Sequence, residues 1–521
     1  MKLRTRSGAP TRVGPHPILL VASVIAVAMV ATPLVFLFSE AIVAPTERML
    51  AALARPQTKT AAINTVMLTV SAILGSLLVG VPTAFALVRM DLPLRKLWWV
   101  LAALPLAVPS YVAGLAWAVM IPLRGFWGSL FVLVLVTSPY VTLPTAAALR
   151  RADTRAEDVA RTLGRGPAQA FFTMTMPQIA PAAASGALLV GLYTISEFGV
   201  VAIMRFRTLT PSIERAFGGS FNRELAMLLS VLLVAMALVV IAVERAVRRP
   251  VMVQKSGHGR ASSTVRTGRV PTMIMLAGMA VCAVGVPVGL LLWRSTQGIA
   301  GGGVEWARLL GAAKTTVFLG FAGALVAIVV ALPVAILAAR WRTRSAVILE
   351  TAVYVGHGLP GIVLGLSMVY MSLKVVPSLY QTLTLMVLAY GLLFAPKSLG
   401  SARSALEQVP LSLEDASRTL GRSPIQTWLT VTGRIAWPGI AAGALLVALT
   451  VMKELPATLM LRPTGTDTLA TRLWQLTDIV AFSDAAPYGV ALVLVAAVPA
   501  LVLARDSSGS LDADSSDRGE K

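Results

Sequence analysis

Two glutamates sit where an ionised group is costly. Glu197 and Glu454 lie about eighteen residues into long apolar runs, and they are equivalent positions of an internal repeat. At 1.5 Å per helical residue that depth is roughly 27 Å from the run's start, towards its far end. Ionisable side chains at such a depth are candidates for a translocation path by default; an interfacial ion pair or a helix-packing contact is the equal alternative. Lys453 adjoins Glu454, whereas Ser196 holds the corresponding place beside Glu197. His357 stands among glycines near Pro360, and Tyr111 stands near Pro109 in the corresponding run, which makes both candidate gate elements. For His357 the packing reading comes first. Enzyme chemistry has little to draw on. There are three histidines and one cysteine, Cys282, and no His/Cys/carboxylate set has ligand spacing. A disulfide within the chain is impossible, and a cysteine-based metal site is excluded.

A second set of residues is duplicated in register. Glu157-Asp158, Arg161-Thr162-Leu163-Gly164-Arg165, Pro167, Gln169, Thr173, Thr175 and Pro181 recur 257 positions later. There they are Glu414-Asp415, Arg418-Thr419-Leu420-Gly421-Arg422, Pro424, Gln426, Thr430, Thr432 and Pro438. Over residues 157–190 against 414–447, 18 of 34 positions agree. Thr154 with Glu157 has the spacing of a capping box, as does Ser412 with Asp415. Gly164 and Gly421 fall where a left-handed C-terminal cap belongs, with proline three residues on. The pattern predicts a short helix in each copy, about 155–163 and 412–420. Such a helix is too short to stand alone in water and too polar for lipid, so it needs a docking partner. Glu157 and Glu414 can also be read as anions that support helix N-termini.

The elements that must position these residues are apolar runs near twenty long, the length that crosses about 30 Å of hydrocarbon. Of 521 residues, 56% are hydrophobic and 13% are charged, half the charged share of a soluble globular protein. Mean hydropathy is +0.77. The runs predict about twelve spans: 18–39, 65–88, 97–121, 129–149, 179–203, 225–244, 271–293, 315–339, 347–372, 382–402, 435–460 and 486–504. The first is read as a retained helix rather than a cleaved signal. The net charge of +21 gathers in alternate loops: Lys2 to Arg12, Arg89 to Lys96, Arg150 to Arg165, Arg245 to Arg269, Arg340 to Arg344 and Arg403 to Arg422. The positive-inside rule then makes those loops, and both termini, cytoplasmic. The basic residues lie in short segments between apolar runs, a placement that argues against nucleic acid.

Upstream of the duplicated loop, Thr65-Val66, Pro82, Pro109 and Gly114 match Thr316-Val317, Pro333, Pro360 and Gly365 at an offset of 251. The expected organisation is a first repeat (1–245), a basic linker (246–270), a second repeat (271–504) and a polar tail (505–521). The fold class is all-α: a polytopic membrane protein of two parallel six-helix repeats, with a path between two similar bundles.

The order Glu-Asp-Val-Ala-Arg-Thr-Leu-Gly followed by Pro181, and Glu-Asp-Ala-Ser-Arg-Thr-Leu-Gly followed by Pro438, resembles the "EAA" loop of type I ABC importer permeases. This chain has Asp158, Val159, Asp415 and Ser417 where the family pattern has alanine; the glycines and spacing are intact. The resemblance implies that each loop is a coupling helix seated on a cytoplasmic ABC ATPase dimer, with Glu157, Asp158, Gly164, Glu414, Asp415 and Gly421 as coupling residues. It also implies a periplasmic or lipid-anchored substrate-binding protein. The chain has no G-x-x-x-x-G-K-[ST] segment; Gly311-Ala-Ala-Lys314-Thr-Thr lacks the second glycine. ATP and Mg are therefore expected on the partner, and no cofactor on this chain. Ile195-Ser-Glu-Phe-Gly199 running to Arg205-Phe-Arg-Thr208, and Met452-Lys-Glu-Leu-Pro-Ala-Thr458 with Leu461-Arg-Pro463, resemble fused ferric-iron permeases of a bacterial inner membrane. Thiamine permeases share the fused layout, and carboxylates would suit either cation. An ion-gradient-driven carrier is the alternative from another class.

Overall fold

The structure, a computed structural model, describes residues 15–43, 46–121, 123–153, 155–219, 222–247, 268–341, 343–358 and 360–497. Most of the expected linker, all of the expected tail, Thr154 and the side chain of His357 lie outside the described residues. The described elements are α-, 3-10 and π-helices. Nine helices among them are long and apolar enough to cross a membrane: Pro17–Val43, Pro56–Arg89, Gly125–Arg151, Pro167–Ser196, Arg223–Val243, Arg269–Ala300, Trp306–Arg340, Leu383–Glu407 and Pro424–Met452. A tenth span is broken, with Arg95–Leu106 and Ser110–Met120 meeting at 90°. The remaining two expected spans correspond to the shorter apolar helices Gly361–Val375 and Phe482–Ala497. Prolines cause the breaks. Pro109 and Pro360 are extended (ψ 138° and 135°), and helix resumes at Ser110 and Gly361. A proline lacks the N–H that a continuing helix would use.

The chain divides into two compact units. One comprises Met1–Thr32, Phe321–His357 and Tyr390–Val447; the other comprises Pro33–Gly320, Gly358–Ala389 and Ala448–Lys521. In the larger unit, Pro56–Arg89, Gly125–Arg151 and Met176–Ser196 pack against one another. Leu68, Ala72, Ser76, Gly80 and Ala84 form a buried stripe along the first of these. Their spacing of four keeps one small-residue face inward, as membrane helices require when lipid supplies no hydrophobic drive between them. A Cβ on Gly80 would lie 2.8 Å from Val141, and the Ser76 and Thr137 hydroxyls share a hydrogen bond of 2.9 Å. Large apolar side chains such as Leu78 face outward, a face that lipid covers. In the smaller unit, Gly391 presses on Val326 and Gly439 on Ala405 by the same close approach, while Arg403 pairs with Glu350.

The matched threonines share a task. Thr65 Oγ1 accepts the Leu209 N–H at 3.1 Å and Thr316 Oγ1 accepts the Leu469 N–H at 2.9 Å. Each thus holds the first N–H of a short helix, Leu209–Glu214 or Leu469–Asp478. Gly114 and Gly365 let their helices approach equivalent residues, Val200 at 3.4 Å and Ala457 at 3.2 Å.

Candidate functional site

The duplicated loop folds as the glycines dictate. Its first helix is Arg155–Thr162 and its second Leu411–Thr419, each within a residue or so of expectation. Gly164 and Gly421 take φ of +85° and +84°. Gly164 N–H bonds Arg161 O (3.0 Å) and Arg165 N–H bonds Ala160 O (3.1 Å); Gly421 to Arg418 (2.9 Å) and Arg422 to Ser417 (3.3 Å) repeat the pattern. This pair of bonds is the Schellman arrangement, which satisfies the last carbonyls of a helix. Pro167 and Pro424 then start the next helix. Each continues through one turn of π-helix, Phe171–Thr175 or Trp428–Thr432, into the membrane-crossing helix.

The second helix start differs from the sequence expectation, while the box expected of Thr154 falls outside the described residues. Pro410, with its φ fixed, is the cap of the second helix, so Ser412 lies inside it and forms no box with Asp415. The capping box in this copy is one step downstream: Ser423 Oγ accepts the Gln426 N–H, and Gln426 Oε1 accepts the Ser423 N–H. In the first copy Asp153 Oδ1 accepts the Arg155 N–H at 2.9 Å.

Of the six predicted coupling residues, four point outward and two inward. Asp158, Asp415, Gly164 and Gly421 are exposed. Glu157 and Glu414 are only 5% and 7% exposed. Glu157 Oε2 accepts from Arg89 Nη2 (3.3 Å) and Thr175 Oγ1 (2.8 Å), and its Oε1 from Arg161 Nη2 (2.6 Å). Glu414 Oε1 pairs with Arg340 Nη2 (2.5 Å) and accepts from Thr432 Oγ1 (2.8 Å). Arg89 and Arg340 are the last residues of Pro56–Arg89 and Trp306–Arg340. A carboxylate buried with an arginine adds little net stability, yet breaking the pair leaves an uncompensated buried charge. Each glutamate therefore fixes where its short helix sits. Arg89, Arg340, Thr175 and Thr432 were absent from the predicted set. The signal was present in part, since the arginines repeat at offset 251 and the threonines at 257.

Each loop also exposes large apolar side chains among its polar ones. Leu163 is 77% and Leu420 81% exposed, with Val159 and Phe172 in the first copy and Ile425 and Leu429 in the second. A Cβ on Gly164 or Gly421 would meet nothing within 4 Å. Large apolar side chains exposed in a polar loop are candidates for contact with a partner.

The residues of the second predicted cluster that the structure describes lie in the larger unit, where two helices break. Met176–Ser196 stops at Glu197 and resumes as Gly199–Ile203; Gly433–Met452 stops and resumes as Pro456–Leu461. In each break the glutamate caps the new helix: Glu197 Oε1 accepts the Val200 N–H (2.9 Å) and Glu454 Oε1 the Ala457 N–H (3.1 Å). Glu197, 7% exposed, also accepts the Ser110 hydroxyl on both oxygens (3.1 and 3.0 Å). Glu454 is half-buried. Lys453 Nζ donates to Leu106 O (2.8 Å), at the bend of the broken span, and Tyr111 Oη donates to Lys453 O (3.5 Å). Glu197, Tyr111 and Lys453 are thereby joined through Ser110, Leu106 and the turn between them, while the His357 side chain lies outside the described residues. Among the described residues, no three His, Cys, Asp or Glu side chains group to hold a metal ion.

Comparison with known proteins adds a second line of observation. The profile of the family described as "Binding-protein-dependent transport system inner membrane component" matches residues 76–252 and again 331–506. The chain is 31% identical over 456 residues to the Fe(3+)-transport system permease protein FbpB 2 of Haemophilus influenzae, covering 86% of this chain and 90% of that one. It is 27% identical over 190 residues to the molybdate/tungstate transport system permease protein WtpB of Thermococcus kodakarensis, covering 36% of this chain and 76% of the relative. It is 28% identical over 188 residues to the sulfate transport system permease protein CysW of Escherichia coli, covering 33% of this chain and 65% of the relative.

Proposed function

Because the chain belongs to the family of binding-protein-dependent transport system inner membrane components, we propose that it forms the pore of an ATP-driven importer whose cargo is ferric iron. The family is a transport permease rather than an enzyme, and ATP hydrolysis falls to a separate ABC ATPase dimer. The observation that carries the pore reading is the pair of glycine-capped short helices at matched register, each ending in an exposed leucine, Leu163 or Leu420. A gradient-driven carrier has no need of two such faces. In this reading both loops and both termini are cytoplasmic, Leu163 and Leu420 seat in the ATPase, and an extracytoplasmic binding protein delivers the cargo.

Ferric iron is favoured by the relative that matches along nearly its whole length, which is named an Fe(3+) permease; the molybdate/tungstate and sulfate relatives quoted match only about a third of this chain. In this reading Glu197, Glu454, Lys453 and Tyr111 mark the translocation path, gathered at the two helix breaks, with the Glu197 carboxylate buried and that of Glu454 half-buried. Hard oxygen donors of this kind suit a hard cation.

The substrate is tested by uptake of radiolabelled ferric iron and thiamine in a strain deleted for the gene. Iron uptake falls to background in the deletion and returns with the intact gene, while thiamine uptake is unchanged. Loss of thiamine uptake with iron uptake untouched would assign the pore to thiamine instead.

A further inference from the structure

We propose that the first repeat carries a binding site for the headgroup of an anionic phospholipid, formed by Arg95 and Arg150 around Trp99. The site lies at the membrane surface where the duplicated loop begins. It rests on the orientation read above, which makes that surface cytoplasmic, and on neither the cargo nor ATP.

The helix Arg95–Ala103 packs against both Pro56–Arg89 and Gly125–Arg151. Arg95 and Trp99 are four residues apart on it and share a face. Arg95 is held in place, its Nε and Nη2 donating to Leu87 O and Val88 O, each at 3.1 Å. Arg150, next to last in Gly125–Arg151, lies over the Trp99 ring with its guanidinium carbon 4.1 Å from the centroid. The charge that acts on Arg150 is Arg95, a like charge. Asp91, four residues before Arg95, pairs with Arg269 instead (3.9 Å). Two guanidinium groups on one helix face repel each other, and an anion from outside relieves that repulsion. Their planar forks match a phosphate in particular.

The second repeat treats the same place differently. At the offsets that relate the copies, Arg95, Trp99 and Arg150 become Ala346, Glu350 and Glu407. There Arg403 pairs with Glu350 and, at 2.9 Å, with Glu407, so the charges are met within the chain. The first repeat has Ala146 at the position of Arg403 and two arginines at positions that hold Ala346 and Glu407. Simple stabilisation of a span end does not call for that reversal. The surroundings favour a lipid as the source of the phosphate. Leu94, Leu97 and Val100, spaced by three beside the arginines, are all exposed. A helix that joins basic residues and tryptophan to exposed apolar side chains has the pattern of a membrane surface, and basic pockets between spans on the cytoplasmic side bind anionic headgroups.

The full chain is purified with its ATPase in detergent and titrated with phosphatidylglycerol or, separately, phosphatidylethanolamine, and the retained lipid is counted by native mass spectrometry. The site predicts that the tightest-bound lipid is phosphatidylglycerol, and that Arg150→Gln weakens it about fivefold. Arg150→Lys weakens it less. Arg434→Gln removes the same charge from an exposed position of the second repeat and leaves binding unchanged. Arg150 is itself exposed, so its variants keep the bundle intact. Arg95→Gln shows the same loss as Arg150→Gln, and if it does not accumulate the Arg150 series decides alone. Wild-type affinity in Arg150→Gln, or an equal loss in Arg434→Gln, would overturn the proposal, the second because diffuse charge would then explain the binding. Displacement of the lipid by inorganic phosphate would overturn it too, by assigning the site to a free anion. Loss of the ATPase from Arg150→Gln with lipid binding intact would assign the arginines to that partner instead. A failure of the pore reading is seen separately, since the lipid preference is measured without iron or ATP.

Discussion

Replacing Gly164 and Gly421 together with leucine is expected to abolish substrate-stimulated ATP hydrolysis and uptake, with the chain still present in the membrane at near wild-type level. Both glycines hold φ near +85°, and a residue with a Cβ pays about 1–2 kcal/mol to adopt that conformation. The space around each is open, so the new side chains collide with nothing in the chain itself and the bundle is not repacked. Two things are lost. The Schellman bonds to Arg161 and Ala160, or to Arg418 and Ser417, are strained, which tilts the docking helix. A leucine also projects beside Leu163 or Leu420, where the proposed docking would seat the partner. Membrane immunoblotting, ATPase co-purification and uptake check the three parts. Asparagine at the same positions tolerates the left-handed conformation better and retains much of the activity. Unimpaired transport in the double leucine variant would refute docking at these loops.

A second large effect is expected at Glu197, and it separates two residues that the repeat makes equivalent. Glu197→Ala leaves the Ser110 hydroxyl and the Val200 N–H without their acceptor in a buried, membrane-embedded site. An orphaned buried donor costs about 1–3 kcal/mol, so two of them cost several. The melting midpoint of the purified transporter falls by several degrees, and uptake is lost with it. Glu197→Gln keeps an acceptor and shifts the midpoint little. Glu454 is half-buried, and its Oε1 accepts the Ala457 N–H; Glu454→Ala lowers the midpoint less than Glu197→Ala. Thermal scans of the three variants, read beside uptake, give the comparison. Equal destabilisation at the two glutamates would contradict the geometry. An uptake loss at Glu454→Ala without a shift in midpoint assigns that carboxylate to the path rather than to packing.

How much of this was legible in the sequence depended on the range of the interaction concerned. The apolar runs and the glycine caps are local: Gly164 and Gly421 were placed at their caps. The runs located the spans but not their ends, and the spans expected over 97–121 and 347–372 ran straight through the breaks at Pro109 and Pro360. Even here a neighbour intervened: Pro410 moved the second helix start and removed Ser412 from its predicted box. The identity of Glu197 and Glu454 as buried ionisable residues was legible, but their use as helix caps was not. An apolar run does not reveal that the helix stops at Glu197 and resumes at Gly199. The contacts that matter most span long separations. Arg89 meets Glu157 across 68 positions and Lys453 meets the Leu106 carbonyl across 347. Arg89 and Arg340 could be read only as members of basic loops, because charge at the end of a span predicts topology and not which carboxylate will be buried beside it. The inward turn of Glu157 and Glu414 was invisible for the same reason. Helical periodicity places Asp158 and Glu157 on neighbouring faces without saying which face the bundle covers.

The central claim, a pore driven by ATP rather than by an ion gradient, is tested most directly by reconstitution. The chain, its ATPase and its binding protein are placed in proteoliposomes, and entry of radiolabelled ferric iron is followed with and without ATP and with ionophores that collapse every ion gradient. The account predicts uptake that requires ATP and the binding protein and persists in the presence of ionophores. Uptake that proceeds without ATP and vanishes when the gradients are collapsed would contradict it.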